Sequence, residues 1–148
     1  MSEANQIGII VTLVLLVSTA GCTYPEATEN SLEFSGTIER SAGQFNMDGD
    51  VHVDGTNDRD VEDIAIVLYD DTQSELKRVP VDLISSNPDG SYPSRQSVNI
   101  TTDKQPEFVL IESPDAWNAG VPSEAYQWTG DHYTTYWVEN EDDRFPSD

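Results

Sequence analysis

Between Leu32 and Val138 the chain breaks into short segments, several of them alternating apolar and polar side chains, and a helical spacing of three to four is nowhere sustained. Leu32, Phe34, Gly36 and Ile38 alternate with Glu33, Ser35, Thr37 and Glu39. A period of two separates the faces of a strand, so the spacing predicts one here. Phe45 and Met47, then Val51 and Val53, repeat the alternation around Asp48-Gly49-Asp50. Ile64–Tyr69 (IAIVLY) is nearly all apolar and predicts a central strand. Leu76–Leu83 is its return strand, with Pro80 marking an edge or a bulge. Asn87-Pro88-Asp89-Gly90 is a turn. Ser97–Thr101, Phe108–Glu112 and a hairpin from Tyr126-Gln127-Trp128 through Thr129-Gly130-Asp131 to Tyr133–Val138 complete the pattern. Seven or eight short strands of this kind predict an all-β domain, a single antiparallel β-sandwich or barrel.

A different pattern precedes the strands. Ile7–Val17 is apolar, breaks into Ser18-Thr19-Ala20-Gly21 and stops at Cys22, the one cysteine of the chain. As a helix, residues 7–21 would be about 22 Å long at roughly 1.5 Å per residue. A hydrocarbon core is about 30 Å thick. The run therefore fits the hydrophobic region of a secretory signal better than a spanning helix. Residues 1–6 hold no Lys or Arg and include Glu3, unlike most such signals. A retained N-terminal anchor is the alternative.

Thr19-Ala20-Gly21-Cys22 resembles a lipobox, with Thr19 standing where leucine is usual. The resemblance implies cleavage before Cys22 and a covalent lipid on its sulfur; no cofactor besides that lipid is expected. The chain also carries 28 acidic and 7 basic residues, a net charge of −21. Only Lys77 and Lys104 are lysines, and beyond Glu3 the acids are spread from Glu26 to Asp148 rather than forming one tail. Self-repulsion of that size destabilises a compact state in dilute salt. At molar salt the screening length falls to about 3 Å and most of it is lost. Together these features resemble the small, acidic, surface-anchored lipoproteins of haloarchaea. That resemblance implies an immunoglobulin-like sandwich on the extracellular face of the membrane, and it assigns no catalytic or ligand residue.

The charge also argues against nucleic acid, whose phosphates would be repelled. An anionic headgroup surface is repelled too, so lipid must hold the protein to a membrane. The organisation expected is a signal over 1–21, a polar tether over 22–31, a sandwich over 32–138 and an acidic, disordered tail over 139–148.

Candidate sites are few. Asp48, Asp50, Asp54, Asp58 and Asp60 crowd one region where calcium would find oxygen ligands, but their spacing departs from the EF-hand. In a chain this acidic such a carboxylate cluster is usually a hydrated loop, and we assign no metal. His52 and His132 have no neighbour at zinc-ligand spacing. No nucleophile elbow or phosphate-binding loop is present, so an enzyme is not expected. Trp117, Tyr126, Trp128, Tyr133, Tyr136 and Trp137 gather most large rings in the last third. Exposed, they would stack on sugars or anchor a partner protein; packed, they would seal the core. Asn99-Ile100-Thr101 is a glycosylation sequon. Two functions follow as expectations. One is a non-catalytic, lipid-anchored surface module binding a protein, a glycan or an envelope component. The other is a subunit of an extracellular assembly, a pilus-like filament or viral coat, that keeps residues 7–21 as an anchor helix.

Overall fold

The computed structural model describes residues 30–41, 43–55, 58–85 and 94–147. The lipobox Thr19–Cys22, the segment before it, most of the tether and the Asn87–Gly90 turn lie outside these. In chain order the elements are β1 (Ser31–Ser41), β2 (Gln44–Asp54), β3 (Asp60–Val61), β4 (Ile64–Tyr69), β5 (Glu75–Val81), β6 (Ile84–Ser85), β7 (Arg95–Thr102), β8 (Phe108–Glu112), α1 (Pro114–Asn118), β9 (Ser123–Trp128) and β10 (Tyr133–Val138). Among the described residues no helix is long and apolar enough to cross a membrane.

Hydrogen bonding runs in the order β5-β4-β8-β9-β1-β2-β7, with β10 on the other side of β9. The β9–β1 step is one parallel bridge, Leu32 beside Ser123, with the Leu32 N–H donating to Pro122 O at 2.8 Å. At this joint the ladder folds over. Strands β1-β2-β7 form one layer and β5-β4-β8-β9-β10 the other. Leu32, Met47, Val51 and Ile100 from the first meet Ile66, Leu68, Val109 and Ile111 from the second in one buried cluster. Pairing β3 with β6 buries Val61 and Ile84 at its margin. The order β1-β2-β7 against β5-β4-β8-β9 is that of an immunoglobulin-like sandwich. Asp48-Gly49-Asp50 does not break the second strand; β2 runs straight through it.

Burial explains why two strands lost their alternation. Every residue of β4 and β8 is buried. Their inner sides join the main core. Their outer sides (Ala65, Val67, Tyr69, Phe108, Leu110) are covered by Trp117 of α1, Tyr136 of β10 and Phe145. Strands buried on both faces read as continuous apolar runs. Each such side chain contributes about 1.5–3 kcal/mol when fully buried.

Two features of this cover depart from the sequence reading. The short helix α1 has no counterpart in the strand pattern of the sequence. Ser113 caps it, accepting from the Ala116 N–H at 3.1 Å, and Pro114 opens its first turn. The acidic end is also packed rather than disordered. A 3-10 turn at Glu141–Asp143 leads Phe145 edge-on to Tyr69, 4.9 Å between ring centres, and to Phe108 at 5.1 Å. Tyr136 donates from its hydroxyl to Arg144 O at 2.6 Å. Charge joins the same segment to the sheet. Glu112, 7% exposed, accepts from the Tyr69 hydroxyl and lies 3.7 Å from Arg78 Nη2 and 3.8 Å from Arg144 Nη1. Burial, then the bond to Glu112, pushes the Tyr69 hydroxyl well above the usual tyrosine range. Compositional acidity hid this because the anchor is one ring and one arginine.

Gly36 and Gly49 face each other across β1 and β2. A Cβ at Gly49 would lie 2.2 Å from Ser35 O and 2.7 Å from Gly36 Cα. The bare pair leaves room for the Phe34 ring, whose Cζ is 2.8 Å from either Cβ position. Phe34 in turn meets Tyr126 edge-on at 6.4 Å.

Candidate functional site

Five strands face three, so the inner side of β9 and β10 is only partly covered. In β9 the even residues Glu124, Tyr126 and Trp128 point inward; opposite them on β10 stand Trp137, Thr135 and Tyr133. Across the gap, the inward phase of β1 is Phe34, Gly36, Ile38 and Arg40. Between them lies an open groove of about 670 Å³ at the end of the sandwich. Its walls are Phe34, Ile38, Tyr126, Trp128 and Tyr133, with Glu39, Asp131 and His132 at the rim.

Arg40 organises the groove. Its guanidinium sits 4.4 Å over the Trp128 ring, and its Nε donates to Gln105 Oε1. Its Nη1 is buried without a hydrogen-bond partner among the described residues. Trp128 meets Tyr133 edge-on at 5.0 Å, and Tyr133 meets Phe45 at 5.9 Å. The Tyr133 hydroxyl donates to Pro106 O at 2.8 Å. Burial raises that hydroxyl to about 12, against a smaller opposing pull from Arg40. Tyr126 is pushed up further, by burial and then by its hydrogen bond to Glu124. Both rings stay neutral at any ordinary pH, so these two walls of the groove are aromatic and uncharged.

On the rim, Asp131 Oδ1 lies 2.6 Å from His132 Nδ1, which holds the Asp131 carboxyl below the usual range. Thr129 Oγ1 approaches the same nitrogen at 3.3 Å. A hydrolytic triad needs acid and nucleophile on opposite nitrogens of the imidazole. This arrangement therefore ties the turn rather than activating a hydroxyl.

The six aromatic residues considered from the sequence do not make one surface. Tyr126 and Tyr133 belong to the core face, and Trp128 closes the groove beside them. Tyr136 and Trp117 pack on the outer face, where Trp117 Nε1 donates to Ser123 Oγ at 3.0 Å. Trp137 is 47% exposed. Asn99 is exposed on β7, opposite Asp48, where a glycan would meet no packed side chain. The calcium candidates do not converge. Asp48 and Asp50 lie on the outer side of β2, Asp50 accepting from Ser97 Oγ at 3.1 Å, while Asp54, Asp58 and Asp60 are exposed beyond it. Among the described residues no three His, Cys, Asp or Glu side chains are placed to hold a metal ion. Arg40 escaped the sequence reading, although it falls on the inward phase set by Leu32, Phe34 and Ile38.

No protein-family model matches the chain, and neither a curated protein nor a solved structure matches it. The residues alone define its class, an immunoglobulin-like sandwich with an aromatic end groove.

Proposed function

We propose that the protein is a non-catalytic surface module of a halophile, held on the extracellular face of the membrane by lipid on Cys22, and that its end groove recognises a neutral glycan of the cell envelope. The groove carries the reading. Sugar rings offer C–H faces to aromatic side chains and hydroxyls to fixed polar groups. Tyr126, Trp128 and Tyr133 supply the first; Arg40, Glu39 and Asp131 supply the second. Net charge favours a neutral ligand, since a chain at −21 repels polyanions.

The full chain titrated with neutral gluco- and manno-oligosaccharides should show a saturable change in tryptophan fluorescence. Trp128→Ala should weaken binding at least about tenfold, the effect of losing a ring worth more than 1.4 kcal/mol. Unchanged affinity in Trp128→Ala would refute the groove. In the same protein Cys22→Ser should leave the membrane fraction, and unaltered membrane retention would refute the lipid anchor.

A second reading has one observation in its favour. An assembly subunit retaining residues 7–21 would need a pairing edge, and β10 is an uncharged one. Intact mass separates the two: a lipid adduct on a chain starting at Cys22 fits the first, and a chain starting at Met1 fits the second.

A further inference from the structure

We infer that β10 is a self-pairing edge, through which two copies of this chain join antiparallel into one continuous sheet. The Trp128 N–H donates to Glu107 O at 2.8 Å, toward β8, and the Thr129 N–H donates to His132 O at 2.9 Å. Trp128 and Tyr133 are therefore a non-hydrogen-bonded pair of the hairpin, and the pattern alternates from there. Tyr133, Thr135 and Trp137 aim their N–H and C=O groups away from β9. Among the described residues β10 pairs with β9 alone, so those groups form an open edge.

Natural sheets blunt such edges with charge, proline or covering. The other long edges here do so. β5 carries Glu75, Lys77, Arg78 and Pro80; β7 carries Arg95 and the Asn99 sequon; β1 carries Glu33, Glu39 and Arg40. β10 (YTTYWV) carries no charge and no proline, in a chain with 28 acidic residues. Trp137, the one exposed large apolar side chain among the described residues, lies on it.

The edge is also complementary to itself. A twofold axis through Thr135 sets Thr135 opposite Thr135 of the second copy. It sets Tyr133 opposite Trp137 and Trp137 opposite Tyr133. All three are residues whose backbone groups face outward, so each pair exchanges two hydrogen bonds. Threonine pairs and aromatic pairs are favourable cross-strand neighbours. The second copy is thus a better occupant than an arbitrary strand. The same register places Glu139 opposite Asp131, a like-charge pair at each end. Salt must screen that repulsion, so association should strengthen as salt rises.

The test is sedimentation velocity of the full chain at about 0.1 M and about 2 M salt, bracketing strong screening. A dimer is expected at high salt, with weaker association at low salt. Thr135→Lys puts like charges on the axis and should raise the dimer dissociation constant at least about tenfold. Thr135 is exposed, and circular dichroism should report an unchanged fold. Thr135→Cys in a Cys22→Ser background should form an intermolecular disulfide on oxidation, whereas Lys77→Cys on the β5 edge should not. A monomer at high salt overturns the inference. So does a dimer that survives Thr135→Lys, or equal cross-linking from the β5 edge.

Discussion

Gly49→Ala should lower the unfolding free energy by about 3 kcal/mol, the upper end of what overpacking costs, and should disturb the end groove at the same time. The added methyl would meet Ser35 O at 2.2 Å and Gly36 Cα at 2.7 Å. Both are backbone atoms of the facing strand and cannot rotate aside. β1 and β2 must separate near the middle of an eleven-residue ladder. Phe34, whose ring rests on the glycine pair, is a groove wall and must move too. A domain stable by about 5–15 kcal/mol would lose a large share of that margin. Urea unfolding measures the loss. Ser35→Ala, on the exposed side of the facing strand β1, should stay within about 0.5 kcal/mol of the parent. Equal stability of Gly49→Ala and the parent would contradict the close approach.

Glu112→Ala should be comparably damaging, at about 3 kcal/mol. Breaking a buried ion pair costs about 3–5 kcal/mol. The lower end applies because Arg78 and Arg144 both reach solvent, with 48% and 29% of their side chains exposed. Glu112 accepts from Tyr69 and draws in both guanidiniums, and Arg144 carries Phe145 onto the outer face of β4 and β8. Without the carboxylate, Arg144 loses its charge partner in the sheet. The C-terminal segment should then become cleavable by protease while the rest resists. Glu112→Gln, which keeps an acceptor for Tyr69, should lose less. Identical cleavage rates in Glu112→Ala and the parent would show that the rings alone hold the segment.

These two sites mark what could and could not be read in the sequence. β1, β4, β8 and the β9–β10 hairpin were legible because each owes its pattern to its own burial. IAIVLY and FVLIE are apolar throughout since a second layer covers them. That second layer was the harder part. It is built from Trp117 on a five-residue helix, Tyr136 and Phe145, which meet only after folding. The Ser113-Pro114-Asp115 start of α1 was a readable signal, but a single helical turn leaves no periodicity to support it. The groove depends on long-range pairing as well. The Phe34 N–H donates to Glu124 Oε1 at 3.2 Å across 90 residues of chain. Spacing identified the aromatic residues; only the β1–β9 joint decides which of them face Arg40. The reading from composition alone failed at the tail, where acidity outweighed one phenylalanine.

The end groove is the recognition surface proposed above, and isotope-edited NMR of the full chain during an oligosaccharide titration tests that proposal most directly. Neutral oligosaccharides should shift the Trp128 indole, the Arg40 guanidinium and the Tyr133 and Thr135 amides, leaving Trp117 and Tyr136 unmoved. Shifts confined to the outer face, or none anywhere on the sandwich, would contradict it.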